Sequence, residues 1–187
     1  MPKQLVILDR DGVINRDSDE FIKSPEEWIP IKGSLEAIAR LSQAGYEVVV
    51  LTNQSGIGRG LLSADKLGKI HGKMIEHLRQ LGGYIQTILF CPHHPDDNCL
   101  CRKPLPGLYT ELGSHFSSSF NGVFSVGDSI RDLQAAKAAG AKPVLVKTGN
   151  GKKSLKKIGQ QPELELDSTP VFDNLSSFVD ALLANDI

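Results

Sequence analysis

Two aspartates one residue apart, Asp9 and Asp11, stand where a short apolar run, Leu5 to Leu8, gives way to a polar loop. A strand that relaxes into a loop there lets both carboxylates lean toward one site, where they can act as nucleophile and proton carrier. Asp9 can attack phosphorus to form an aspartyl-phosphate, while Asp11 protonates the leaving oxygen and later takes a proton from the attacking water. Two carboxylates facing a phosphate dianion repel it, so this chemistry requires a metal. Magnesium prefers an octahedron of oxygens and keeps part of its water shell, which one or two carboxylates and a substrate phosphate complete. Asp128, which also follows an apolar run, is the best further ligand. Asp132, about one helical turn later, is placed outside the ligand set, to hold a metal water or to orient Lys103.

Thr52 and Asn53 close a second apolar run with a hydroxyl and an amide suited to gripping phosphoryl oxygens in the transition state. Gln54 and Ser55 continue that loop and join the substrate-binding set. Lys103 adds a point charge, and Arg59 and Arg102 offer forked donors that match a phosphate or a hydroxyl-rich ligand.

The chain has 3 cysteines, Cys91, Cys99 and Cys101, all in one short segment with His93 and His94. That distribution is unlike a disulfide framework and reads as one local site. Three thiolates and one imidazole suit tetrahedral zinc and leave no open position, which means a structural ion. Either histidine can complete the set. The pinned loop, 91–101, leads directly into Arg102 and Lys103.

These groups need elements to position them. Leu5–Leu8, the run ending at Leu51, residues 84–90, the run ending at Val126 and Gly127, and 143–147 read as buried strands. Between them lie helical patterns: 34–44, with Ser34 as a cap and Gly45 as the stop; Ser63 to about Leu81; a helix opened by Pro104 and Pro106 and running to about His115; and one after Asp128 that Gly140 ends. Val171–Leu183 reads as a closing helix, and 148–170 as a polar stretch of unassigned structure in which GKKSLKKIG is a solvated face. His71 and His77 read as helix-surface residues and Trp28 as a packed loop anchor. Alternating apolar strands and helices specify an α/β fold, a Rossmann-like, mostly parallel sheet with helices on both faces. Such sheets bind ligands beyond the C-terminal strand ends, where Asp9, Thr52 and Asp128 all fall.

At 187 residues one domain, 1–187, suffices, with the cysteine loop as an insertion. The 21 basic and 22 acidic residues nearly cancel, which argues against a nucleic-acid or membrane partner. No signal-peptide pattern and no long apolar segment is present, so the expected location is the cytoplasm.

LDRDG, LTNQSG, RKP and VGDSIRD, in that order, resemble the four motifs of the haloacid-dehalogenase-like phosphatases. DRDGVIN, FIKSPEEWIPIKGSLEAI, TNQSGIGRG and CPHHP followed by CLCRKP are similar to the histidinol-phosphatase-like branch. The resemblance implies Asp9 as nucleophile, Asp11 as acid and base, and Thr52 and Lys103 as phosphate binders. It further implies magnesium held by Asp9, Asp128 and the backbone carbonyl of Asp11, and zinc held by Cys91, His93, Cys99 and Cys101. The implied protein is a small cytoplasmic monomer without a large cap domain, acting on a small phosphorylated sugar. Ser129 departs from the pattern, since many relatives carry Lys or Arg there. Rival readings are the same chemistry on histidinol phosphate or another small monoester, a polynucleotide 3'-phosphatase, and an inactive zinc-stabilised binding protein.

Overall fold

Strand β1 (Leu5–Leu8) lies inside a six-stranded parallel sheet. Its spatial order is β3 (Thr87–Cys91), β2 (Glu47–Asn53), β1, β4 (Phe124–Gly127), β5 (Lys142–Val146) and β6 (Val171–Phe172). The structure is a computed structural model that describes residues 4–116 and 119–187. Parallel pairing requires a crossover on a face of the sheet, so the central strands are covered on both sides and are mostly apolar. The period of two survives in which core each residue joins. Val6, Leu8, Val48 and Val50 share a cluster with residues of α1 (Ser34–Gln43), α2 (Ala64–Gln80) and α6 (Leu175–Ala184). Ile7, Val49 and Leu51 pack instead with residues of α3 (Gly107–Phe116) and α4 (Ile130–Ala138). A third cluster joins Leu133 and Leu145 to Ile158 of α5 (Gly151–Ile158) and to Leu166.

Helix α2 shows how pattern becomes packing. Leu67, Ile70, Met74 and Leu78 form one buried stripe, and the Ser63 hydroxyl accepts from the Lys66 N–H to cap the start. His71 is on the inner face too and is 9% exposed, so it is not a surface residue. Trp28 is buried, its ring edge-on to His77 at 6.0 Å. No helix among the described residues is long and apolar enough to cross a membrane, and the described residues form no large cap domain.

Several boundaries differ from the sequence reading. Helix α1 has Gly33 at its N-cap; Ser34 instead donates its hydroxyl to the Ile14 carbonyl at 2.5 Å, tying the helix to the loop after β1. Helix α5 occupies part of the stretch left unassigned, burying Gly151, Ser154 and Ile158 while its lysines face outward. Residues 171–172 are an edge strand, because Asn174 caps a new helix and its side chain accepts from the Ser177 N–H.

Phe178 of α6 is fully buried and meets Phe124 and Phe172 edge-on, with centroids 5.7 and 5.6 Å away. Phe178→Ala is expected to cost about 3–5 kcal/mol of stability. Urea unfolding measures this, and a loss below about 1 kcal/mol would place α6 outside the cooperative core.

Candidate active site

In this strand order the chain winds away in opposite directions from β1 and β4, which opens a crevice between their C-terminal ends. Asp9 follows β1 and Asp128 follows β4, and the Asp9 N–H donates to the Val126 carbonyl at 2.9 Å, holding the two ends together. Lys103 enters from the loop after β3. Its ammonium donates to Asp9 Oδ1 at 2.8 Å, Asp132 Oδ1 at 2.6 Å and the Leu51 carbonyl at 2.7 Å. Three acceptors match its three donors, which permits burial to 3% exposure.

Carboxylate oxygens of Asp9, Asp128 and Asp132 all lie within 4.8 Å of one another. Burial pushes the Asp9 carboxyl up to about 7, against the pull of Lys103 and helped by the charges of Asp132 and Asp11. Burial, with the charges of Asp132 and Asp9, pushes Asp128 up to about 8. Asp132 is held below the usual carboxylate range: burial opposes ionisation, but Lys103 and Ser129 outweigh it. One ammonium thus faces three acids, a surplus of negative charge that suits a divalent cation.

Asp128 sits in a nest built by glycine. A Cβ on Gly12, where φ is +81°, would lie 2.0 Å from Asp128 Oδ2, and one on Gly149, where φ is +53°, would lie 2.1 Å from it. The same oxygen accepts from the Asn150 N–H at 2.7 Å, and the Ser154 hydroxyl donates to the Asp128 carbonyl at 2.9 Å. The Thr148 hydroxyl donates to the Gly12 carbonyl at 2.6 Å. The segment 148–154 therefore supports the site.

Asp11 is caged by donors. Its Oδ1 accepts from Asn15 Nδ2 at 2.8 Å and its Oδ2 from Gln54 Nε2 at 2.8 Å, while Arg10 reaches both oxygens through Nη2 at 2.9 Å. Gln54 also donates to the Thr52 hydroxyl at 3.0 Å. Asn53 is committed elsewhere: its amide accepts from the Lys103 N–H and donates to the Lys103 carbonyl, both at 3.1 Å. Its side chain therefore fixes the lysine backbone while Asn53 also lines the cleft. Ser129 caps α4 by donating its hydroxyl to Asp132 Oδ2 at 2.6 Å, so the residue that departs from the motif pattern positions the acid that pairs with Lys103.

The cleft, about 170 Å³, is lined by Asp9, Asp11, Thr52, Lys103 and Asp128, and also by Ser55, Arg102, Ser129, Arg131 and Phe21. Among the described residues neither Arg102 nor Arg131 has a carboxylate partner, and Arg102 Nη1 is buried without a hydrogen bond. Burial and then the Arg131 charge depress the Arg102 pKa. Arg59 is exposed and lies outside the lining, its guanidinium 5.9 Å from the Phe21 ring. Asp17 faces the cleft from the loop after β1, where Asn150 Nδ2 donates to it at 2.7 Å.

Cys91, His93, Cys99 and Cys101 converge in a second cluster, with ligand atoms within 4.8 Å. Cys91 and Cys99 sulfurs are 3.5 Å apart, Cys99 and Cys101 3.7 Å, and His93 Nδ1 is 3.2 Å from the Cys101 sulfur. His94 is turned away, its Nδ1 accepting from the Asp96 N–H at 3.2 Å. The β2–α2 loop lies flat on this segment, since the Gly58 N–H donates to the Pro92 carbonyl at 2.8 Å and a Cβ there would be 2.4 Å from His94 N.

The sequence reading thus assembled Asp9, Asp11, Thr52, Lys103, Asp128 and Asp132 around one crevice. It missed Arg10, Asp17, Arg131 and Asn150. Arg131, a cation in the first turn after a strand-end aspartate, carried a readable signal; Asp17 and Asn150 lie in loops whose folding no local pattern announces.

A family model described as HAD-hydrolase-like matches residues 100–177. The chain is 53% identical over 180 residues to D-glycero-β-D-manno-heptose-1,7-bisphosphate 7-phosphatase of Bordetella bronchiseptica, covering 96% of this chain and 98% of that protein. It is 51% identical to the protein of the same name in Pseudomonas aeruginosa, covering 98% and 99%. A crystal structure of D,D-heptose 1,7-bisphosphate phosphatase from B. bronchiseptica, complexed with magnesium and phosphate, superposes with a TM-score of 0.92 at 52% identity, over 97% of this chain and 99% of that one. The Burkholderia thailandensis structure gives 0.75 at 42% identity, with the same coverage.

Proposed function

The chain belongs to the D-glycero-β-D-manno-heptose-1,7-bisphosphate 7-phosphatase family, within the haloacid-dehalogenase-like hydrolases, and from that premise we propose that it hydrolyses the C7 phosphate of D-glycero-D-manno-heptose 1,7-bisphosphate. The products are heptose 1-phosphate and phosphate, a step toward nucleotide-activated heptose for the lipopolysaccharide inner core. The observation that carries the reading is the polarity of the cleft. Clustered carboxylates, a buried ammonium and guanidinium groups without carboxylate partners among the described residues line one cleft.

Lys103 binds Asp9 Oδ1, and the Asp9 carboxylate is the attacking group. It bonds to the C7 phosphorus as the phosphorus–oxygen bond to the sugar breaks, and Asp11 gives its proton to the departing oxygen. Asp9 then carries an aspartyl-phosphate. Asp11, now a carboxylate, takes a proton from a water that attacks this phosphorus; the bond to Asp9 breaks and phosphate leaves. The Lys103 charge, 2.8 Å from Asp9 Oδ1, and the Thr52 hydroxyl favour the phosphoryl group throughout.

The all-oxygen set around Asp9 and Asp128, with its surplus charge and the glycine nest, fits magnesium. Asp9, Asp128 and the Asp11 carbonyl would hold it, with Asp132 behind them on Lys103. When bound, the ion neutralises the phosphoryl group and the carboxylates that face it. Cys91, His93, Cys99 and Cys101 form a structural zinc site. Zinc–sulfur bonds of about 2.3 Å in a tetrahedron put sulfurs about 3.8 Å apart, close to the spacing seen here. That ion would stiffen the loop on which the backbones of Arg102 and Lys103 depend.

Asp9→Asn is expected to fold normally and lose nearly all turnover, and trapping with acid should recover no phosphoenzyme. More than about a tenth of wild-type activity would exclude covalent catalysis through Asp9.

Elemental analysis of protein purified without chelator should find close to one zinc per chain, resistant to mild chelation, whereas magnesium exchanges freely. Zinc below about 0.2 per chain, with the thiols reduced, would contradict the structural site.

Arg102 and Arg131 are read as the donors for the distal C1 phosphate, with Arg59 further out behind Phe21. Loss of one charge-assisted contact is worth about 1.5–3 kcal/mol, or roughly tenfold to one hundred and fiftyfold in affinity. Arg102→Ala and Arg131→Ala should each raise KM for the bisphosphate by about that factor with little change in kcat, and Arg59→Ala should do so less. On heptose 7-phosphate all three should approach wild type; equal losses on both substrates would remove the arginines from recognition of the second phosphate.

A further inference from the structure

Arg10 occupies the position between the two site aspartates, and its side chain is fully buried. A buried guanidinium needs partners for all its donors, and each partner here has a direction. Nε donates to Asp11 Oδ1 at 3.1 Å and Nη2 to both Asp11 oxygens at 2.9 Å, a forked grip on one carboxylate. Nη2 also donates to Gln54 Oε1 at 3.1 Å. Nη1 points the other way, 3.2 Å from His71 Nε2 on α2. Because arginine can only donate, His71 accepts through Nε2 and carries its proton on Nδ1. The ring is held edge-on to Phe90 of β3, with centroids 6.2 Å apart. Burial, reinforced by the Arg10 charge, lowers the His71 pKa to about 4, so it remains a neutral acceptor at ordinary pH. The Arg10 backbone is fixed as well, since its carbonyl accepts from the N–H groups of Val13, Ile14 and Asn15 at 3.3, 2.8 and 3.2 Å.

We infer that Arg10 and His71 are positioning residues for the proton transfers of this site, with His71 anchoring the guanidinium that sets the direction of the Asp11 carboxylate. The inference rests on the reading of Asp11 as the acid and base. Neighbouring side chains at a strand end ordinarily diverge, and here one is bent back onto the other. The far anchor on α2 explains how that geometry persists: without an acceptor at Nη1, the guanidinium has a buried donor to satisfy and would turn its fork to find a partner. Neither residue lines the cleft, so their effect should fall on proton transfer and not on substrate affinity.

Two measurements test this. In 15N spectra at neutral pH, the His71 ring should show a protonated Nδ1 and a bare Nε2; a protonated Nε2 would overturn the proposal. The second is the first-turnover release of the leaving group, compared between the heptose bisphosphate, whose alkoxide needs a proton, and p-nitrophenyl phosphate, whose phenolate does not. Asp11→Asn serves as the reference and should slow only the sugar substrate. His71→Leu should slow sugar release about tenfold or more, leave KM within about twofold, and leave nitrophenolate release within about threefold. His71→Gln, which offers an amide oxygen to Nη1, should recover most of the loss. Should His71→Leu fail to fold, Arg10→Lys is read by the same comparison. Equal losses on both esters, or no loss on the sugar, overturn the proposal. If Asp11→Asn shows the selective loss and His71→Leu does not, only the positioning role fails; if Asp11→Asn shows none, the reading of Asp11 fails with it.

Discussion

The site depends on a single buried ammonium. Three carboxylates gathered beside the ends of two adjacent strands would repel one another strongly in so dry a place, and among the described residues Lys103 is the cation that pairs with two of them. Its position is fixed from several directions: the Leu51 carbonyl of β2 accepts one of its N–H groups, Asn53 clasps its backbone, and the cysteine-lined loop delivers it. Asp132 in turn is fixed by Ser129, so the helix after β4 begins on a side chain that also sets the lysine. One ion-pair network thus joins β1, β2, β4 and the loop after β3, which are the elements that form the crevice.

Charge of both signs lines the cleft. Besides the acids, its lining holds the guanidiniums of Arg102 and Arg131, which have no carboxylate partners among the described residues. In the function proposed above, the acids and Lys103 would process one phosphate and the guanidiniums would hold the anion at the other end of the molecule. The described residues form no large cap domain, and the walls of the cleft come from the loops that follow β1 to β5.

Much of this was legible in the residues themselves. Buried parallel strands advertise themselves as continuous apolar runs, so β1, β2 and β4, and the aspartates that end β1 and β4, could be read directly. The cysteine cluster was equally plain, because softness and spacing are local properties; spacing alone left His93 and His94 open, the resemblance implied His93, and the turn that commits His94 to Asp96 agrees with it. What could not be read was contact at long range. Helix α5 hides in a lysine-rich stretch because few of its residues are buried. His71 looked like a surface residue because its partner, Arg10, lies 61 positions away. Asn53 does line the cleft, and only the path of the Lys103 backbone shows that its amide is also bonded there.

The nest around Asp128 has a consequence for the order in which the molecule becomes competent. Every acid and base assigned here has been synthesised by residue 132, yet Asp128 gains its last supports from Gly149, the Asn150 N–H and the Ser154 hydroxyl, and Gly12 is tied down by Thr148. A nascent chain emerging from the ribosome from its N-terminus carries the full chemical inventory well before it carries the frame that aims it. Until β5 pairs with β4 and the next turn folds over the first loop, the acids have no fixed arrangement to impose on a cation or a phosphate. Competence therefore arrives as a late event of synthesis, set by a segment that contributes no reacting atom.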